Sequence, residues 1–265
     1  MKVAAAQIAC ELGNPSANLE KVSCFAQRAR DAGAELIVFP EMTDTGYAMS
    51  VIREKANPWS EGAVPELRKI AHKLGISIVC GVSERENGLI YNSQVAVDPA
   101  GAIVAKYRKV HLFAVAPVEE EKCFTAGDCL TSFGLGPLRF GLTICYDLRF
   151  PELYRTLAVD HKTNCFINSS AWPFPRVEHL RVLATARAIE NQSYLILANC
   201  VGSGVGTRFC GSSAVIDPYG VLLAAASTDR EELVLAELSQ EVLETVRQKM
   251  PVFSHRRPTL YSCGA

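Results

Sequence analysis

Three side chains with complementary chemistry stand near the ends of predicted strands: the thiol of Cys145, the carboxylate of Glu41 and the ammonium group of Lys109. A thiol can attack a carbonyl carbon, a carboxylate can take up and return the proton, and an ammonium group can stabilise the charge that develops on the carbonyl oxygen. These groups are what amide hydrolysis by covalent catalysis requires. The sequence therefore predicts a hydrolytic site, provided that the fold brings three distant segments together.

Cys145 directly follows a short apolar run, residues 140–144, which predicts a strand. The chain then turns through Asp147, and Pro151 can open a helix because proline fits the first helical turn. We expect a thiol placed there to lie beside free backbone N–H groups and a helix N-terminus, which favour thiolate and oxyanion charge. The alternative is a buried structural cysteine, the commoner fate of a free cysteine.

Glu41 comes at the end of another predicted buried strand, with no basic residue close to it in sequence. It is a candidate general base with a raised pKa, and the alternative is a capping or surface glutamate. Around Lys109 the alternation of a strand places Tyr107 and Lys109 on one face and Lys106 and Arg108 on the other. One cation can therefore point inward, although a solvated strand edge is the commoner role for such a run.

An acidic run, Glu119 to Glu121, follows the lysine segment. Such a run is normally a solvated loop, but one member can turn inward to hold a lysine or to position a substrate. His111 is also available, and histidine is the usual base for a catalytic thiol. It lies on the same face as Lys109, so a hydrogen bond within its own motif is the alternative.

The composition sets limits on the class of protein. Of 265 residues, 49% are hydrophobic, which is enough for a sizeable core, and the net charge of −1 argues against a nucleic-acid or membrane-surface partner. The N-terminus has no long apolar segment of a signal peptide, and no run has the length of a transmembrane helix. The ten cysteines show no C-x-x-C pair, so neither a zinc site nor a disulfide framework is expected, and a reducing cytoplasm is the expected location.

The predicted elements run βαβ, strand meander, βαβαβ and a second meander. Both halves have the same order, and no linker separates them, so we predict one domain over residues 1–265. Its fold class is α/β, a four-layer αββα sandwich of two mixed sheets with outer helices. The predicted strands are 2–8, 35–39, 76–83, 89–97, 102–107, 140–144, 164–168, 194–198, 211–217, 221–226 and 233–237. The predicted helices are 15–32, 65–74, one from residue 151, 178–190 and 240–249.

Three motifs resemble the nitrilase, or carbon–nitrogen hydrolase, superfamily. They are Val38-Phe39-Pro40-Glu41, Tyr107-Arg108-Lys109-Val110-His111-Leu112-Phe113 and Cys145-Tyr146-Asp147-Leu148-Arg149-Phe150-Pro151-Glu152. The resemblance implies Glu41 as general base, Lys109 as stabiliser of the oxyanion and Cys145 as nucleophile. It also implies the αββα fold, a dimer or larger homo-oligomer, and no metal or organic cofactor.

The resemblance extends to a second glutamate and to a substrate class. The family often has a glutamate shortly before a Phe-x-x-Gly, and counting back from Phe124 and Gly127 favours Glu120. The run after Cys145 and the Arg256-Arg257 tail are similar to the branch of omega-amidases and deaminated-glutathione amidases, which implies a small amide that carries a carboxylate.

One stretch departs from the family, which usually has proline just before the small residues that lead to the tryptophan. Here the run is Asn168-Ser169-Ser170-Ala171-Trp172-Pro173. We expect this stretch to line the substrate pocket.

The resulting hypothesis is a thiol amidase that uses water and forms a thioester on Cys145. The Tyr146 backbone N–H would help Lys109 to stabilise the oxyanion, and Arg149 and Arg176 are candidates to bind a substrate carboxylate. For Arg149 the alternative is a salt bridge within its own turn, and Arg176 is otherwise solvated.

Three other hypotheses remain open. A nitrilase or an N-carbamoyl hydrolase would use the same three groups. A non-catalytic partner-binding scaffold would need only the fold. A redox sensor would need a resolving cysteine near Cys145, for which Cys165 and Cys200 are the candidates.

Overall fold

The computed structural model describes residues 1–116 and 118–261. The domain predicted over 1–265 also includes Pro117 and residues 262–265, which lie outside the described residues. The strands are β1 Lys2–Gln7, β2 Leu36–Val38, β3 Ser77–Glu86, β4 Leu89–Val97, β5 Ile103–Arg108, β6 Ser132–Leu135, β7 Leu138–Ile144, β8 Cys165–Ser170, β9 Tyr194–Asn199, β10 Ser203–Gly204, β11 Thr207–Arg208, β12 Ala214–Ile216, β13 Leu222–Ala225 and β14 Glu232–Glu237. The α-helices are α1 Pro15–Asp31, α2 Met49–Lys55, α3 Ala63–Leu74, α4 Pro151–Val159, α5 Val177–Glu190 and α6 Gln240–Lys249.

The strands form two mixed sheets of six strands each. The first has the order β14-β1-β2-β3-β4-β5, and its central strands β1, β2 and β3 are parallel. The second has the order β13-β12-β9-β8-β7-β6, with β7, β8 and β9 parallel. In each sheet the outer strands pair antiparallel. The predicted sheets are therefore confirmed.

The helices cover the outer faces of the two sheets. One apolar cluster joins the first sheet to α1 and α3, through side chains such as Val22, Phe25 and Leu67. A larger cluster fills the space between the sheets and continues to α4 and α5, with Leu153 and Leu180 among its members. These layers make the four-layer αββα sandwich that the sequence predicts.

The helix ends agree with the sequence signals. The Asn14 side chain accepts a hydrogen bond from the Ala17 amide, and the Ser239 hydroxyl accepts one from the Val242 amide, as expected of N-cap residues. Gly75 ends α3 in the left-handed conformation. The short elements α2, β6, β10 and β11 were not predicted, because each is too short to show a clear period.

The strand ends bring distant segments to one region. Glu41 follows β2, Lys109 follows β5 and Cys145 follows β7. No helix among residues 1–116 and 118–261 combines the length and the apolar character needed to cross a bilayer.

Candidate active site

A buried lysine lies between two buried carboxylates. The Lys109 Nζ is 2.9 Å from Glu41 Oε1 and 2.9 Å from Glu120 Oε1, and all three side chains are fully shielded from solvent. Burial would lower the pKa of Lys109, but the carboxylates of Glu120 and Glu41 outweigh it and hold the pKa of Lys109 above its usual value. The ammonium group therefore stays charged. Together with the two carboxylates, it forms a cluster with a net charge of −1.

Glu41 is held by three donors. Besides Lys109, the Asn92 amide donates to Oε1 over 2.7 Å, and the backbone N–H of Ala171 donates to Oε2 over 2.8 Å. Burial raises the pKa of Glu41 above its ordinary 4.5, against the opposing effect of Lys109. A carboxylate with a raised pKa takes up a proton more readily, which suits a general base.

Among the three consecutive glutamates, the structure places Glu120 beside Lys109. It begins a 3₁₀ turn, Glu120–Lys122, and accepts hydrogen bonds from the Tyr47 hydroxyl over 2.6 Å and the Phe113 amide over 2.7 Å. The neighbouring Glu119 instead pairs with Lys122 near the surface, and Glu121 is exposed. The position of Glu120 agrees with the spacing to Phe-x-x-Gly.

Cys145 stands on a strained elbow between β7 and a 3₁₀ helix, Cys145–Arg149, which α4 follows. Its φ of +43° is in the left-handed region, where a residue with a Cβ is strained, so the surrounding structure must hold it there. A sharp strand-to-helix turn of this kind projects a nucleophile out of the sheet.

The surroundings of Cys145 act on its thiol in both directions. Burial and the Glu41 carboxylate raise the pKa of the Cys145 thiol well above its usual value, although Lys109 and the Ala171 backbone N–H act in the opposite direction. A nucleophilic role for Cys145 would therefore require the thiol to lose its proton during attack. Glu41 shares the Ala171 N–H with this thiol and is the carboxylate placed to take the proton.

His111 does not face the thiol. Its Nδ1 lies 2.8 Å from Asp147 Oδ1, and its ring stacks on Phe150 with centroids 3.7 Å apart. The expected alternative, a hydrogen bond within the Lys109 motif, is also wrong, because the His111 ring contacts Asp147 of the Cys145 motif instead.

Cys145 opens onto a cavity of about 490 Å³. Tyr146 and Trp172 form part of its wall, together with Phe113 and Phe174. Glu41 and Lys109 do not form part of this wall, because both are completely buried. A substrate in the cavity therefore reaches Cys145 first.

Three arginines line the same cavity, and each lies over an aromatic ring. The guanidinium of Arg149 is 4.8 Å from the ring centroid of Trp172, that of Arg176 is 5.6 Å from Phe113, and that of Arg208 is 4.8 Å from Phe174. Among the described lining residues there is no aspartate or glutamate. The cavity thus presents positive charge that its own wall does not neutralise.

The expected salt bridge of Arg149 within its own turn is wrong. Its side chain instead hydrogen bonds to His179 over 3.3 Å, and within residues 1–116 and 118–261 no carboxylate forms an ion pair with it. Burial lowers the pKa of Arg149. A partly desolvated guanidinium without an acidic partner is a suitable group to receive an anion.

The stretch from Asn168 to Pro173 lines the pocket through its second half only: Ala171, Trp172 and Pro173 form part of the wall. Asn168, Ser169 and Ser170 form the end of β8 and are completely buried. The Ser169 hydroxyl donates to the Phe39 carbonyl over 2.6 Å and accepts from Gln94, while Asn168 donates to Thr143. These bonds satisfy the polar groups locally, so the departure from the family pattern affects the core next to Glu41.

Several residues of the site were not predicted. Tyr47 and Asn92 contact Glu120 and Glu41 from separate segments, and Arg208 comes from the short β10–β11 hairpin. Of the candidate resolving cysteines, Cys165 lies in the core, and Cys200 contacts the Glu41 carbonyl oxygen over 3.8 Å.

The part of the chain that the structure describes contains no group of three or more His, Cys, Asp and Glu side chains placed to hold a metal ion.

An αββα sandwich with a glutamate, a lysine and a cysteine gathered at its strand ends defines a hydrolase acting on carbon–nitrogen bonds. The sequence agrees: the Carbon-nitrogen hydrolase family model matches residues 2–248, and the chain belongs to this family. It is therefore an enzyme of the carbon–nitrogen hydrolase class.

Individual proteins resemble the chain over nearly its whole length. A 2-oxoglutaramate amidase of Bacillus subtilis is 37% identical, covering 94% of this chain and 95% of its own. The crystal structure of Saccharomyces cerevisiae Nit3, a member of branch 10 of the nitrilase superfamily, is 31% identical, with a TM-score of 0.88, and the match covers 97% of this chain and 96% of that one. An amidase from Nesterenkonia sp. AN1, solved after addition of acrylamide to its active-site cysteine, is 27% identical, with a TM-score of 0.84, and the match covers 95% and 98% of the two chains.

Proposed function

We propose that this protein is a thiol amidase that hydrolyses a small, carboxylate-bearing primary amide to the acid and ammonia. One observation carries the proposal: Lys109 lies buried between Glu41 and Glu120 beside the Cys145 elbow. An attacking group, a proton acceptor and a fixed positive charge are thereby gathered at one point. The Nesterenkonia amidase, with its reactive active-site cysteine, supports the same assignment.

In the first step, the Cys145 sulfur attacks the amide carbon while the thiol proton passes to Glu41. A C–S bond forms, and the carbonyl oxygen becomes an oxyanion that Lys109 and the Tyr146 backbone N–H stabilise. The negative charge moves from the Glu41 carboxylate to the oxyanion, so the total charge of the buried site does not change. Lys109 is adjacent to the charge in both states, which keeps the barrier low.

In the second step, the proton on Glu41 goes to the leaving nitrogen, the C–N bond breaks, and ammonia departs from a thioester on Cys145. Glu41 then takes a proton from water, whose oxygen forms a bond to the thioester carbon. The C–S bond breaks, and Glu41 returns the proton to the Cys145 sulfur, so the carboxylic acid leaves and the thiol is restored. Glu120 keeps Lys109 charged and in place, because its Oε1 accepts from the ammonium group while the Tyr47 hydroxyl and the Phe113 backbone N–H fix the carboxylate. No cofactor is required.

The cavity wall supports a substrate that carries a carboxylate. Arg149, Arg176 and Arg208 line it, and a guanidinium can bind a carboxylate through two parallel hydrogen bonds. The Bacillus subtilis relative is a 2-oxoglutaramate amidase, and 2-oxoglutaramate bears such a group. A nitrile or a carbamoyl compound could be attacked by the same groups, and hydrolysis of either in preference to amides would replace the amidase assignment.

The chain also has the surface expected of a homodimer. Exposed apolar side chains lie on α5 and on the β12–β13 hairpin, and these two elements touch, since a Cβ on Gly220 would approach Ile189 to 2.6 Å. The members of this patch are Val182, Ile189, Tyr219, Val221 and Leu222. We propose that two copies of the chain associate through this patch. The free thiols of the nine described cysteines support a cytoplasmic location.

The test uses two amides of equal length: glutaramate, the monoamide of glutaric acid, and pentanamide, in which a methyl group replaces the carboxylate. Wild-type protein should release ammonia from glutaramate faster than from pentanamide, and Cys145→Ala should release none from either. Cys24→Ala, which removes an exposed thiol on α1, is the matched control and should keep full activity. Ammonia release by Cys145→Ala at the wild-type rate would reject the assignment.

A further inference from the structure

Asp147 is completely buried but has no role in the proposed reaction. It comes two residues after Cys145, inside the 3₁₀ helix of the elbow. Among the residues that the structure describes, the one basic side chain in contact with its carboxylate is His111, whose ring is only partly buried. A buried carboxylate is costly unless hydrogen bonds satisfy it, so its contacts indicate what it holds in place.

Three of these contacts involve Tyr107 and His111, which lie on either side of the lysine in sequence. The Tyr107 hydroxyl donates to Asp147 Oδ2 over 2.8 Å. On the other side, the His111 backbone N–H donates to Oδ1 over 3.2 Å, and the His111 Nδ1 lies 2.8 Å from the same oxygen. Tyr107 precedes Lys109 by two residues and His111 follows it by two. Asp147 therefore binds the segment on both sides of Lys109 through hydrogen bonds.

The remaining contact falls on the cysteine elbow. The backbone N–H of Ile144, the residue directly before Cys145, donates to Asp147 Oδ2 over 2.9 Å. This bond closes the turn in which Cys145 has a positive φ. A residue in a strained conformation persists only where its surroundings hold it, and Asp147 supplies part of that restraint.

The two segments that Asp147 binds, around Lys109 and around Cys145, belong to different sheets. Lys109 follows β5 of the first sheet, where its backbone is tied to Asn92 and Gly127, both over 2.8 Å. Cys145 follows β7 of the second sheet. The Asp147 carboxylate bridges them, so its position sets the offset between the ammonium group and the sulfur.

We propose that Asp147 is a positioning residue that fixes Lys109 relative to Cys145, so that both reach the same carbonyl group. The inference rests on the proposed function, because it concerns the geometry of that reaction. A misplacement of about 1 Å in a reacting group can lower a rate by roughly 10²-fold. Asp147 thus acts on the rate of the chemical step, while the substrate-binding cavity, which it does not line, is left unchanged.

The test measures kcat and KM for glutaramate with Asp147→Asn, which keeps the size of the side chain but cannot accept at both oxygens. We expect kcat to fall by roughly 10²-fold and KM to change by less than about 3-fold. Tyr107→Phe removes the hydroxyl contact, and His111→Ala removes the ring contact but keeps the backbone N–H bond, so each should give a smaller loss of kcat. His111→Asn should recover part of the loss, because its side-chain N–H lies close to the place of Nδ1.

A kcat for Asp147→Asn within about 2-fold of wild type would overturn the positioning role. If Asp147→Asn does not fold, the double variant Tyr107→Phe/His111→Ala decides, and an unchanged kcat in that variant overturns the role. A loss of kcat there with an unaltered melting temperature supports it. A wild-type protein that releases no ammonia from any amide would instead reject the proposed function itself.

Discussion

At the scale of single residues, the proposed reaction moves negative charge only between positions next to Lys109. The two carboxylates next to Lys109 keep it charged, and burial keeps Glu41 ready to accept a proton. The thiol of Cys145 is neutral at rest, so proton transfer and attack are coupled. The thiol therefore becomes a nucleophile only when a substrate carbonyl group is present to receive the negative charge.

The acid limb of the pH profile follows from Glu41. Its pKa is raised above 4.5, and the base must be deprotonated to accept the thiol proton. We expect kcat/KM to fall as pH decreases through a value above 4.5, and Glu41→Gln to lose activity by roughly 10²- to 10⁴-fold at every pH. Initial rates of ammonia release over the pH range in which the fold persists would measure this. A profile that stays flat down to pH 4.5 would contradict Glu41 as the base.

Asp44 gives a pH dependence of stability that is separate from catalysis. Burial raises its pKa from 3.8 to about 6, although Ser83 donates to it over 2.6 Å. Between these values the folded state holds more protons than the unfolded state, so the free energy of unfolding falls as pH rises. The loss amounts to about 3 kcal/mol and is complete above the folded pKa of about 6.

Asp44→Asn cannot ionise and should not show this loss. Urea unfolding of both proteins at about pH 4 and about pH 7 measures it. The stability of the variant relative to wild type should rise between the two pH values, whatever the difference at the lower one. A constant difference would show that Asp44 keeps an ordinary pKa in the folded protein.

At the scale of elements, the strand ends hold the reactive groups through close backbone packing. Gly81 on β3 packs directly against the backbone of Pro40 and Glu41. A Cβ at Gly81 would lie 2.5 Å from the Pro40 carbonyl oxygen and 2.6 Å from the Glu41 Cα. Only a glycine allows β3 and the Pro40-Glu41 segment to approach so closely, because the contacts are with backbone atoms that cannot rotate away.

Gly81→Ala should therefore destabilise the fold by about 1–3 kcal/mol and lower kcat by displacing Glu41. Chemical denaturation and the glutaramate assay measure the two effects. Gly134→Ala is the matched control on β6, since a Cβ there meets no atom within 4 Å. Equal behaviour of the two variants would mean that the β3 contact does not position the base.

The order of the elements could be predicted from the sequence, because strand and helix periods, the Asn14 and Ser239 caps and the glycine stops are local signals. The segments around Cys145 and Lys109 also carry local signals: an apolar run before the thiol and an alternation that turns one cation inward. Features that depend on contacts between distant segments could not be predicted from the sequence. The neutral state of the Cys145 thiol depends on burial between two sheets, and Arg208 reaches the cavity from a hairpin with no clear period.

At the scale of the whole molecule, both sheets repeat one plan, three parallel central strands with antiparallel neighbours, and the site lies where their strand ends meet. We infer that the described residues form one domain, since a single apolar cluster includes side chains of both sheets. The apolar patch on α5 and the β12–β13 hairpin remains on its outside.

The patch predicts a dimer that one charge can disrupt. Val182→Asp should convert the protein to a monomer, because Val182 is 63% exposed within the patch and a buried unpaired carboxylate opposes association. Leu89→Asp changes a similarly exposed apolar side chain outside the patch and should leave the dimer intact. Size-exclusion chromatography with light scattering distinguishes the two. A monomeric wild type would exclude the dimer.

The central claim, a covalent intermediate on Cys145, can be observed directly. Wild-type protein is mixed with excess glutaramate, quenched rapidly in acid and analysed by peptide mass spectrometry. The account predicts a glutaryl thioester on the Cys145 peptide that forms with the first release of ammonia and disappears as substrate is consumed. Ammonia release without any acyl group on Cys145, together with an acyl group on another residue, would contradict it.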